Sequence, residues 1–157
     1  MTSTVISCRI EVAAGTLDRA AKRIPEASLT DLTYRFPLGT VTLEGSGVAF
    51  SVEEVTVFDF ARGMLYALGD LGKDGEAEYD FTEGEGSLLM NIRSDQLVEV
   101  TADFTDGTIT ASYAQISSAV REASLGLLER IEASCPKALR NTYIAELAAE
   151  LQRQKGA

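Results

Sequence analysis

Histidine is absent from all 157 residues, which removes the side chain that most often serves as general base or metal ligand near neutral pH. Ser-His-Asp triads and histidine-activated cysteines go with it. Tryptophan is absent too. Carboxylate pairs such as Asp59 with Asp103, or Asp80 with Glu83, therefore lack the aromatic platform on which a glycoside hydrolase holds a sugar. No GxxxxGK[ST] or GxGxxG motif occurs; the glycines in EGSGV and GEGS read as hairpin turns, where access to positive φ is reason enough for them. Catalysis is not expected, and neither is a cofactor or a metal.

Long hydrophobic runs are missing as well. The longest, Met64 to Leu68, has 5 residues, against the roughly 20 needed to cross a bilayer. The N-terminal MTSTVISCRIEVAAG has no basic residue ahead of its apolar ones, and Arg9 and Glu11 interrupt any signal-peptide core. The expectation is a cytoplasmic protein without a membrane partner. Only two cysteines are present. Cys8 and Cys135 lie at opposite ends of the chain without a CxxC motif and read as two inert, partly buried thiols.

What remains is globular in composition: 45% hydrophobic residues, 3 prolines and 13 glycines. A chain of this length suits one domain, residues 1–157, able to bury about two thirds of the surface its unfolded form exposes. The expected fold class is α+β, with antiparallel β-meanders packed with a central helix and two C-terminal helices.

The clearest local signal lies in DGEAEYDFTEGEG, residues 74–86, which carries Asp74, Glu76, Glu78, Asp80, Glu83 and Glu85 and no base. Ala77, Tyr79 and Phe81 alternate with Glu76, Glu78 and Asp80, the period of a strand with one apolar and one wet face. Strands are expected at 76–82, 87–93, 96–104 and 108–113, with Tyr79, Phe81, Val98 and Val100 buried. Asp106-Gly107 is expected to form a two-residue hairpin turn. Upstream, VISCRIEV reads as a strand and TLDRAAKRI as a short helix stopped by Pro25. LTDLTYRF (29–36) reads as a further strand, followed by a hairpin of TVTLEG and GVAFS.

A central helix is expected from about Val57, because Phe60, Ala61, Met64, Leu65, Leu68 and Leu71 recur at three and four residues. Ser112 and Gln115 have capping-box form ahead of a helix that Pro136 ends, and a last helix is expected from about Lys137. The segment from Asp70 through Asp74 to Glu76 reads as a loop. It fails as an EF-hand, whose third and twelfth ligand positions here fall on Gly72 and Phe81.

Charge is unevenly placed. From Glu44 to Asp106 there are 15 acids against 3 bases, a net of −12, while the remaining 9 acids and 11 bases give +2. One reading is the ordinary wet face of half-exposed strands. The other is a docking surface for a basic partner, formed by Asp74, Glu76, Glu78, Asp80, Glu83 and Glu85, where surface charge speeds encounter and selects partners. Direct binding to nucleic acid is disfavoured, because phosphates are neutralised by cations. Arg121, Arg130, Lys137 and Arg140 make a modest basic edge, interleaved with Glu122, Glu129 and Glu132.

YRFPLG, VEEV followed by FDFA, and EYDFTE followed by helices, spread over residues 29–147, resemble the immunity proteins that bacteria pair with polymorphic toxins. The resemblance implies an inhibitor that binds a cognate toxin tightly, often by covering a basic active site. It assigns no individual residue. Three classes thus stay open: a protein-binding inhibitor, a small-ligand or regulatory module, and a dimerising domain.

Overall fold

Apolar and polar residues alternate in SCRIE, LGTVTLEG and VAFSVEEVT, and these segments pair as β1 (Ser7–Glu11), β2 (Leu38–Gly45) and β3 (Val48–Thr56) in an antiparallel sheet of order β1-β2-β3. The structure, a computed structural model, describes residues 5–82 and 86–155. Ser46 and Gly47 both have positive φ, 53° and 75°. This conformation matches the twist of the flanking strands and closes the β2–β3 hairpin where the sequence places it.

A second sheet follows as a meander: β4 (Glu76–Asp80), β5 (Ser87–Ile92), β6 (Leu97–Ala102) and β7 (Thr105–Ser112), in the order β4-β5-β6-β7. Tyr79, Phe81, Val98 and Val100 are buried, as the two-residue period requires. The last hairpin differs from expectation. Ala102 pairs with Thr105, so Asp103 and Phe104 make the turn, and Asp106-Gly107 lies in a bulge before the Val100–Ile109 pair. Side-chain and inter-sheet contacts outweigh the local turn preference. Asp103 exchanges two bonds with Ser87, and the Phe104 ring packs edge-on against Phe50 and Phe81. Gly107, at φ 112°, lets the backbone come close to Val48; a Cβ there would lie 2.8 Å from Val48 Cγ1.

Among the described residues, five α-helices complete the fold: α1 (Ala14–Arg23), α2 (Leu29–Tyr34), α3 (Val57–Asp74), α4 (Tyr113–Ser134) and α5 (Thr142–Lys155). The fold is α+β, with a central helix and two C-terminal ones. Helix α3 starts at Val57 and buries Phe60, Ala61, Met64, Leu65, Leu68 and Leu71, the stripe read from the sequence. It touches both sheets, α2 and α4. Gly75, left-handed at φ 79°, ends it by donating to the Leu71 carbonyl. The Ser112–Gln115 capping box opens α4.

Three local readings are corrected. LTDLTY is helical rather than extended, because Ser28 and Asp31 form a reciprocal capping box, each side chain accepting from the other's backbone N–H at 3.1 Å. Asp70 and Asp74 occupy the last turns of α3 rather than a loop. The final helix starts at Thr142 rather than Lys137. Pro136–Arg140 forms a 3-10 turn, and Asn141 Oδ1 then accepts from the Tyr143 N–H at 2.9 Å as the cap of α5.

Candidate functional site

Strand phase and helix periodicity together make an acidic groove. Glu76 and Glu78 project from the outer face of β4, and Asp70 and Asp74 from the end of α3, which turns into β4 at Gly75. These four carboxylates line a groove of about 500 Å³ whose floor is Leu89, Met90 and Asn91 of β5. Glu78 faces Leu89 across the ladder, and Glu76 faces Asn91. No lysine or arginine lines it, and none of the four acids forms an ion pair among the described residues. Further along the same sheet Arg93 pairs with Asp95 at 3.2 Å and Glu99 at 3.4 Å, a partial compensation that the groove lacks.

Asp74, Glu76 and Glu78 are thus brought together with Asp70, which the sequence reading did not group with the candidate surface. Asp80 is exposed one step along β4 but receives a hydrogen bond from the Ser87 hydroxyl. Glu83 and Glu85 lie outside the described residues. Among the described residues, no group of three or more carboxylates or cysteines is placed to hold a metal ion. The basic edge is partly structural, since Arg130 donates to the Ile10 carbonyl at 2.8 Å and ties α4 to β1. Cys8 and Cys135 are free and half-buried, and burial pushes the Cys8 thiol up to about 12, which keeps it protonated. No helix among the described residues is long and apolar enough to cross a membrane.

A second site had no clear signature in the sequence. Two hollows of about 370 and 390 Å³ meet at Leu29 and Arg62, between α2, α3 and α5. Asp59 and Arg62, three residues apart on α3, share its wall. The Tyr79 hydroxyl donates to Asp59 Oδ2 at 2.9 Å, while desolvation raises the Asp59 pKa above the ordinary carboxylate value. The Arg62 guanidinium lies over the Tyr143 ring at 4.9 Å and the Tyr66 ring at 5.5 Å, and meets Glu146 at 3.8 Å. Tyr143 is 4% exposed, and its hydroxyl has no well-formed hydrogen bond. Burial, then the charge of Asp59, pushes that phenol up to about 12. The spacing of Asp59 and Arg62 was the available sequence signal. What it lacked was Tyr143, which arrives from 81 residues further along the chain through the packing of α5.

In comparisons with known proteins, no family model, no curated protein and no solved structure matches the chain. Functional argument therefore rests on this geometry.

Proposed function

We propose that the protein is a non-catalytic binding module that docks its acidic sheet face on a basic protein partner, in the manner of an immunity protein inhibiting a toxin. The observation that carries this reading is the groove of Asp70, Asp74, Glu76 and Glu78, four exposed carboxylates with no cation lining the same groove among the described residues. Carboxylates held together in this way repel one another, and a partner that supplies Lys or Arg relieves the repulsion. Leu89, 37% exposed on the groove floor, offers an apolar contact at the centre of a polar rim. Asp80, Glu83 and Glu85 extend the same charge along the chain. A partner whose basic surface serves nucleic-acid binding or hydrolysis is occluded by such a face.

The test is comparative capture from native lysate with the wild type and with a variant carrying Asp70→Asn, Asp74→Asn, Glu76→Gln and Glu78→Gln. A basic protein retained by the first and lost by the second is the expected result. Identical captures from the two proteins contradict the reading.

A further inference from the structure

The Arg62 cleft holds opposite charges that face a common space without neutralising each other. Residues three apart on a helix share a face, yet Asp59 and Arg62 form no ion pair among the described residues. Asp59 is engaged through Oδ2 by Tyr79, and Arg62, stacked over the Tyr143 and Tyr66 rings, reaches one carboxylate among the described residues, the exposed Glu146, at the long distance of 3.8 Å. The Tyr143 hydroxyl beside Arg62 is buried without a well-formed hydrogen bond, and Asp59 Oδ1 receives no hydrogen bond among the described residues. A buried hydroxyl without a well-formed hydrogen bond is rare, and Tyr143 lines the hollow beside Arg62.

The rim is of the opposite character. Leu29, Tyr34 and Tyr66 border the hollow and are 58%, 57% and 54% exposed, unusually high for large apolar side chains. Small-molecule sites combine such an apolar wall with a few fixed polar groups that set orientation. A ligand bearing only a carboxylate would be drawn to Arg62 but repelled by Asp59, and one bearing only an ammonium would meet the reverse. A molecule carrying both charges on one carbon satisfies the two walls together.

We propose that this cleft binds a free α-amino acid with an apolar or aromatic side chain: the ammonium on Asp59, the carboxylate on Arg62 and Tyr143, and the side chain against Leu29, Tyr34 and Tyr66. Binding is noncovalent, and Tyr143 acts as a positioning donor. The site is separate from the acidic groove, so neutralising Asp70, Asp74, Glu76 and Glu78 leaves it intact.

L-phenylalanine is the probe, titrated into the full chain by isothermal calorimetry and by amide chemical-shift mapping. Two analogues accompany it: L-phenylalaninamide, without the carboxylate, and 3-phenylpropionate, without the ammonium. Saturable binding of L-phenylalanine, at least tenfold weaker binding of each analogue, and shifts centred on residues 59–66 and 143 are the expected result. Arg62→Gln and Asp59→Asn each weaken binding at least tenfold. Tyr143→Phe weakens it severalfold while melting no lower than the wild type, because the hydroxyl it loses has no well-formed hydrogen bond in the free protein. No saturable shift at millimolar L-phenylalanine overturns the proposal, as does binding of either analogue as tight as that of the amino acid. Unchanged affinity in the Tyr143→Phe variant removes Tyr143 from the site and overturns the assigned pose.

Discussion

The Tyr79 hydroxyl donates to Asp59 Oδ2 at 2.9 Å, joining the strand that carries the acidic ladder to the helix that walls the Arg62 cleft. Tyr79 points inward because Glu78 and Asp80 point outward on β4, and its ring meets Phe60 and Phe81 edge-on at 5.6 and 5.1 Å. The acidic groove and the cleft therefore share one buried link.

Breaking that link has a measurable consequence. Tyr79→Phe keeps the ring packing but leaves the half-buried Asp59 carboxylate without its donor, so stability at pH 7 falls by about 1–3 kcal/mol. Urea unfolding measures it. An unchanged midpoint contradicts the buried role of the bond.

Asp59 also sets a pH dependence. Desolvation raises its folded-state pKa above the unfolded value, so the folded protein binds the proton more tightly. The carboxylate is destabilising at neutral pH; the handicap shrinks as pH falls through the folded pKa and is gone below the unfolded value of about 4. Asp59→Asn is accordingly more stable than the wild type at pH 7, with the difference vanishing by about pH 4. Asp31 has the opposite sign. The Ser28 backbone N–H bond lowers its pKa, so the stability it contributes is present above the unfolded pKa and lost as pH falls through the folded one. Melting curves of Asp59→Asn and Asp31→Asn across pH 3–7 should diverge from the wild type in opposite directions. A common direction sinks the assignment.

Two glycines of α3 provide an internal comparison. At Gly69 an added Cβ meets nothing within 4 Å, so Gly69→Ala gains the helix preference of alanine, about 1 kcal/mol. At Gly63 the same Cβ overlaps the Tyr79 ring, so Gly63→Ala displaces Tyr79 and is net destabilising despite the better propensity. Thermal unfolding of the two variants should show shifts of opposite sign.

Periodicity that reports burial was legible: the four meander strands, the Val57 start of α3 and its buried stripe all follow from spacing. The reading failed where short-range cues competed. Leu32, Tyr34 and Phe36 alternate as in a strand, but the Ser28–Asp31 box captures the segment first, and only Leu32 is buried. Asp106-Gly107 has turn chemistry, yet its glycine answers the approach of Val48 from the other sheet, a contact between residues 59 apart. The acidic side of β4 was readable from phase alone. Asp70 was not, since its place beside Glu76 depends on the sharp reversal at Gly75. The cleft was hidden for a related reason: α2, α3 and α5 each contribute one wall.

Association kinetics test the acidic groove as a docking surface most directly. With the captured basic partner, the wild-type association rate should fall steeply between low salt and about 0.5 M, because exposed charges are screened within a Debye length of about 10 Å already at 0.1 M. The variant carrying Asp70→Asn, Asp74→Asn, Glu76→Gln and Glu78→Gln should fold normally, associate more slowly at low salt and lose most of the salt dependence. Equal rates and equal salt slopes for the two proteins would contradict the account and leave these carboxylates as a solvated face.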